Sequence, residues 1–372
     1  MKILKNLTTS IFCLLIIVAL LTTLTSSCQH KKQDKEMNEP KFEYEGNICS
    51  PLGYPIDVYE GGLESSSGST SLYLGVTTGR WGSNGGGMSH SEKAVPKRLN
   101  VTWLAYAEDT FYTIDCDIDY DKMLRLFKEG YQDRMWFLND GRYQTDTFNA
   151  IVVGFAPGGV VVIWLNGAGM QVEIGRYQGK KIVIPQSEIG GLDNHERLLF
   201  DPEYRKETML NKEIVPIEIQ EANKNKPIPY GLWDSYRKRY SWRPIFTQNT
   251  FGDSTMTVIF TRLDMFNGEF GSLFDQSLVD NEFIKQAVPK RVNFGWKDKK
   301  GQVYSGTLNF DEKEIFDAYK EIYKEDDEAL AELVFQINIP NTFITVMLKS
   351  KDKEVHINKG TKVEVFKSDR KF

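Results

Sequence analysis

Cysteine and histidine are scarce, with four of each in 372 residues. Cys13 lies inside an N-terminal apolar run and Cys28 just after it, which leaves Cys49 and Cys116 for the body of the chain. One disulfide is the most such a body could carry, so cross-linking does not replace a core. His30, His90, His195 and His356 are far apart, and none has a Cys, Asp or Glu at a metal-ligand spacing. Basic charge is also short, at 46 Lys and Arg against 51 Asp and Glu. No Lys/Arg stripe offsets that balance, which argues against a nucleic-acid partner. No Gly-Lys-Ser/Thr follows the glycine-rich stretch, no Gly-x-Ser-x-Gly elbow occurs, and no dinucleotide fingerprint opens a helix after a strand. These absences leave no cofactor, no metal and no catalytic group to name.

The one long apolar run, Ile11 to Leu21, is too short to span a bilayer. Lys2 and Lys5 precede it and small polar residues follow, the layout of a signal peptide over residues 1–27. Ser26-Ser27-Cys28 reads as a lipobox that makes Cys28 the lipid-modified first residue of the mature chain. An ordinary cleaved signal or a retained anchor is the alternative. Residues 28–52, opening with "CQHKKQDKE", then read as a polar tether from the membrane, on the periplasmic face or the cell surface. Met1 to Ser27 carries two lysines and no acids, so its removal takes the formal charge from −5 to −7.

The body says one thing twice. "AVPKRLNVTW" (Ala94–Trp103) returns as "AVPKRVNFGW" (Ala287–Trp296). Downstream, Asp119 and Asp311 each stand where a helix N-cap belongs. Met123, Leu124, Phe127 and Tyr131 match Ile315, Phe316, Tyr319 and Tyr323, one apolar helical stripe in each copy. Pro157-Gly158 and Pro340-Asn341 write the same type II-like turn between two β-branched runs. The fold class expected is therefore α+β: two tandem repeats, each an antiparallel sheet with one amphipathic helix on a face. Repeat one covers residues 53–185 and repeat two 242–372, joined by a charged connector, 186–241, holding one or two short helices. "YPIDVYEG" and "SLYLGV" are answered by "RPIFTQNTFG" and "TMTVIFTR". Cys116 sits where the other copy has Leu308, so a buried inert thiol is expected rather than a bridge to Cys49.

The second copy then serves as a control: what both keep belongs to the fold, and what one alone keeps is free for function. Lys97-Arg98 and Lys290-Arg291 pass as paired anion sites or as charges protecting a sheet edge, and being shared they are assigned to the edge. Only the first copy has "RWGSNGGGMSHSEK". Its glycines suit unusual φ or close backbone approach. It reads equally as a tightly folded long loop and as a recognition loop whose binding candidates are Trp81, Ser83, Asn84, Gly85, Gly86, Gly87, Met88 and His90. "NGAGMQ" (Asn166–Gln171) is also confined to the first copy and reads as a bulge or hairpin. Glu108-Asp109 read as solvated turn residues.

"WGSNGGGMS", "VTWLAYAED", "GFAPGGVVVIW" and "GAGMQVEIGR" together resemble a bacterial lipoprotein family, the domain of unknown function numbered 2931, over about Tyr54 to Tyr177. The resemblance implies an envelope lipoprotein without an established catalytic site, and for some members an immunity-type role against secreted phospholipase effectors. The function expected is binding rather than chemistry, with an unidentified protein or a small envelope ligand as partner and the membrane reached through the lipid anchor; the alternative is a small-molecule-binding or hydrolytic envelope protein that uses the glycine-rich loop region.

Overall fold

The computed structural model describes residues 39–85, 87, 90–134, 143–192, 194–248, 256–274 and 276–369. The signal peptide, Cys28, Gly86 and Met88 lie outside them.

Among the described residues twelve strands precede the connector: β1 Lys41–Cys49, β2 Ile56–Ser65, β3 Gly68–Ser71, β4 Ser91–Ala94, β5 Arg98–Ala105, β6 Thr110–Asp117, β7 Tyr131–Arg134, β8 Tyr143–Asp146, β9 Ala150–Ala156, β10 Val160–Asn166, β11 Gln171–Gln178 and β12 Lys180–Ile182. Ten follow it: β13 Tyr240–Gln248, β14 Thr257–Met265, β15 Phe270–Phe274, β16 Ile284–Gln286, β17 Pro289–Lys297, β18 Val303–Asn309, β19 Ala331–Ile337, β20 Ile344–Lys349, β21 Glu354–His356 and β22 Lys362–Lys367. The content is α+β, with mostly antiparallel sheets and few helices. In the first half the orders β12-β6-β5-β2-β3 and β11-β10-β9-β1-β4 run unbroken. In the second half the orders are β22-β18-β17-β14-β15 and β16-β13-β19-β20-β21. Strand for strand these are the same two arrangements, each with one parallel pair, β1 with β9 and β13 with β19.

Four expectations need correction. Residues 41–49, assigned to the tether, form β1, because Tyr44, Ile48 and Cys49 are buried and Glu45 to Cys49 pair with β9. The first half thus begins at β1 rather than at residue 53, and the second at β13, Tyr240, rather than at 242. The upstream match was one strand out of step, since β1 corresponds to β13 and β2 to β14. Tyr44 Oη donates to the Ala94 carbonyl at 2.8 Å, and Trp242 Nε1 donates to the Ala287 carbonyl at 3.1 Å, the same contact in both halves. Neither half is a single antiparallel sheet: each folds two sheets face to face, and a parallel pair closes the second. The connector holds five short helices among the described residues.

The repeated decapeptide has a structural reason. Ala94, Val95, Ala287 and Val288 are fully buried, and the carbonyls of Lys97 and Lys290 accept from the amides of Ile118 and Phe310 just before each helix. Those helices, Tyr120–Glu129 and Glu312–Ile322, are capped by Asp119 and Asp311, whose carboxylates accept from Lys122 N and Glu314 N. Gly158 and Asn341 both have positive φ, as the shared turn requires.

The halves differ on the outer face of one sheet. In β9 and β10 the residues Ile151, Val153, Phe155, Val161, Ile163 and Leu165 face the first-half core. Val152, Val162 and Trp164, on the opposite face, belong to the core cluster that contains Trp242, Phe294 and Trp296 of the second half. Both strands are buried along their whole length. In the second half the registers put Glu332, Val334, Gln336, Thr345, Met347 and Lys349 on that outer face; Val334 and Met347 are buried, and the four polar residues around them are not. The first half therefore covers its outer face with the second, and β11 meets β15 at the single pair Gln171–Phe270 to make one ten-stranded sheet. The connector seals a third cluster, laying Leu199 against Tyr59, Leu104, Tyr106 and Phe111.

Matched substitutions check this asymmetry. Val162→Asp, which buries an unpaired carboxylate, is expected to prevent stable folding. Thr345→Asp at the corresponding position should change stability by about 0.5 kcal/mol or less, as surface substitutions do, in chemical denaturation.

Candidate functional site

The glycine-rich loop of the first half runs along the seam between the halves. Trp81 packs edge-on against Trp164, with ring centres 4.9 Å apart, and lies 6.5 Å from Trp233 of the connector. Gly82 has φ +73°, and a Cβ there would stand 2.5 Å from the Cα of Gly268. Gly268, at φ +92°, faces Gly82 and the Trp164 ring in return. This backbone-on-backbone contact is why the loop needs a glycine at its start. Cys49 is fully buried here, where desolvation pushes its thiol up to about 12 although the amides of Gly82 and Ser83 donate to it.

A polar ladder continues across the seam. Asn47 Nδ2 donates to Asn84 Oδ1 at 2.6 Å, and Asn84 Nδ2 to Asn166 Oδ1 at 3.1 Å. Asn166 Nδ2 donates to Gln171 Oε1 at 2.7 Å, and Gln171 Nε2 reaches the carbonyls of Gly82 at 2.6 Å and Gly268 at 2.5 Å. "NGAGMQ" is thus the hairpin between β10 and β11 and also a bracket holding the loop. Its glycines serve close packing rather than positive φ, since a Cβ on Gly167 would meet the Tyr131 ring at 2.5 Å.

Beside this ladder opens a cleft of about 490 Å³. One wall is Arg80 to Asn84 with Asn166 to Ala168, from the first half. The other is Arg262, Asp264, Lys290, Arg291 and Asn309 with the turn at Gly268 and Glu269, from the second. Its carboxylates are engaged: Asp264 accepts from Arg262 Nε at 2.9 Å, and Glu269 accepts from Arg239 at 2.7 Å and Asn267 at 2.9 Å. The Arg262 guanidinium also lies 4.2 Å over the Phe270 ring. Arg80, Lys290 and Arg291 have no ion-pair partner among the described residues. Lys290 is exposed, yet desolvation and then the charge of Arg80 lower its pKa.

Of the binding candidates, Trp81, Ser83 and Asn84 line the cleft. Gly85 is open, with no neighbour nearer than 4.0 Å, and Gly87 packs against Gly46 and Asn47 of β1. His90 lies apart, 3.7 Å from Glu43 with both side chains exposed. Sequence reasoning missed Arg262 and Asn309, which nothing in their local pattern singles out, and it read Asn166 only as the start of a bulge or hairpin. It set aside Lys290-Arg291 because the motif is shared, although the surroundings of the two copies differ. Glu108 is half-buried rather than free in solvent: it accepts from Tyr112 Oη at 2.8 Å and from the Gly158 amide. Cys49 and Cys116 are both free, Cys116 half-buried beside its neighbour strand. Among the described residues no cluster of three or more metal-ligating side chains occurs.

Gly82→Ala forces a positive-φ alanine into the Gly268 backbone and should cost about 2 kcal/mol or more, while Gly85→Ala should stay within about 0.5 kcal/mol. Denaturant midpoints of the two variants distinguish a loop built into the scaffold from a free one.

No curated protein and no solved structure matches the chain. A family model does, over residues 29–231, which take in the first half and most of the connector and more than half the chain. The chain belongs to the family described as protein of unknown function (DUF2931).

Proposed function

We propose that the protein is an envelope lipoprotein, doubled internally and tethered through Cys28, that acts by binding a ligand in the cleft between its halves. The observation that carries the reading is the convergence there of the loop found only in the first half with the Lys290-Arg291 pair of the second. Identical strand orders in the two halves support the duplication. The N-terminal run ending in Ser26-Ser27-Cys28 supports the anchor. No helix among the described residues is long and apolar enough to cross a membrane.

A binding role suits the chemistry better than hydrolysis. The cleft carboxylates already hold Arg262, Arg239 and Asn267, so neither is poised as a base. A toxin-blocking surface headed by Trp81 loses its anchor, because that ring packs into the shared core. A cleft of this size suits a small envelope ligand or the headgroup of a larger one.

Two measurements bear on this. Cys28→Ser should move the protein from the membrane to the soluble fraction, and its retention on membranes would count against lipidation. The chain from Gln29 onward, which keeps every described residue, should retain a small molecule from envelope extract in native mass spectrometry. Ala168→Trp, which fills the cleft from an exposed position, should abolish that retention; unchanged retention would remove the cleft as the site.

A further inference from the structure

We propose that the cleft receives a phosphate-bearing ligand, a reading that rests on the cleft being the binding site. The argument is a comparison of one motif in two settings. In the first half Lys97 pairs with Glu39 at 2.7 Å. Arg98 is ringed by Asp115 at 2.5 Å, Asp117 at 3.8 Å and Glu64 at 3.9 Å. The strand registers identify the matching positions around Arg291. Glu64 lies opposite Arg98 on the neighbouring strand as Asp264 lies opposite Arg291. Asp117 lies opposite Arg98 as Asn309 lies opposite Arg291. Asp115 lies opposite Asn100 as Thr307 lies opposite Asn293.

Two of the three carboxylates are thus replaced by neutral side chains. The third, Asp264, is drawn to Arg262. The second half keeps the cations with fewer counter-charges beside them, at the place where the seam opens a cleft: Asp264, held by Arg262, and Glu312 still attract Lys290, but neither forms an ion pair with it. Arg80, from the loop that only the first half has, adds a further cation close enough to Lys290 to depress its pKa after desolvation. Like charges gathered without partners cost free energy, and an anion relieves that cost.

The number of unpaired cations, Arg80, Lys290 and Arg291, selects among anions. A single carboxylate would leave most of that charge uncompensated, whereas a phosphate monoester carries up to two negative charges and acceptors for both guanidinium forks. The volume of about 490 Å³ leaves room for an organic body beyond the phosphate. Trp81 Nε1, on the cleft wall, is a buried donor without an acceptor among the described residues. The ester is either a free metabolite or a lipid headgroup, and the chemistry that recognises it is shared.

The test is titration calorimetry at low salt on the chain from Gln29 onward, with glycerol 3-phosphate, inorganic phosphate and, as the uncharged control, glycerol. Glycerol 3-phosphate should bind and glycerol should not. Arg291→Gln and Lys290→Gln should each weaken binding about tenfold, and so should Asn309→Asp, which removes no cation but restores the carboxylate that the first half has at Asp117. Arg98→Gln, at the neutralised copy of the motif, should leave binding unchanged. Co-sedimentation with phosphatidylcholine vesicles, with or without phosphatidic acid, separates the two sources: preference for phosphatidic acid that Asn309→Asp removes assigns a headgroup, and binding of the soluble ester alone assigns a metabolite. Equal binding of glycerol, or full affinity in Asn309→Asp, overturns the proposal. Capture from envelope extract that Ala168→Trp abolishes, without any binding of glycerol 3-phosphate, overturns the phosphate assignment and leaves the cleft standing. Binding of glycerol 3-phosphate that survives Ala168→Trp overturns both.

Discussion

Everything at the seam depends on one burial event. The outer face of β9 and β10, with Val152, Val162 and Trp164, has no cover within its own half and is buried against the second. A face of this kind cannot remain in water, because each large apolar side chain gains about 1.5–3 kcal/mol by leaving it. The halves are therefore held by a continuous core and not by a swinging linker, which brings the loop starting at Trp81 against Gly268. Arg237 and Arg239 of the connector fasten the same seam to Glu173 and Glu269 at 2.7 Å. The cleft is what remains where the two surfaces diverge.

This burial was legible before any coordinates. "AIVVGFA" and "VVVIWLN" are continuous apolar runs, the pattern of strands covered on both faces, whereas "AELVFQI" and "ITVMLK" carry Glu332, Gln336, Thr345 and Lys349 on one face, on either side of Val334 and Met347. The helices, their Asp caps and the shared turn were legible for the same reason: each is a local rule written in adjacent residues. The parallel pairing of β1 with β9 was not, because its partners lie about a hundred positions apart and no local pattern distinguishes parallel from antiparallel company. β1 itself, "KFEYEGNIC", was hidden by its polar first half, which lies at the sheet edge against β4.

The site was legible only in part. Trp81, Ser83 and Asn84 stood out because the second half has no such loop, and all three line the cleft. Their roles there are structural as much as exposed: an indole in the core, a hydroxyl bonded to Arg80 backbone atoms, an amide in the ladder. Lys290 and Arg291 were hidden by the same comparison that exposed the loop. A filter that discards whatever both halves share discards a shared motif whose neighbours have changed. The information lay one strand away, at Thr307 and Asn309, and became visible only once the register was known.

The join between the halves is head-to-tail. The first half contributes the edge strand β11, and the second contributes β15, which corresponds to β3 and not to β11. A two-fold join would pair like edges and repeat every contact, giving two equal pockets per chain. Here the corresponding edges β3 and β21 are left at the margins, and each seam contact occurs once. The cleft at this seam therefore occurs once in a chain whose two strand arrangements are alike, and it has no counterpart at the edges β3 and β21.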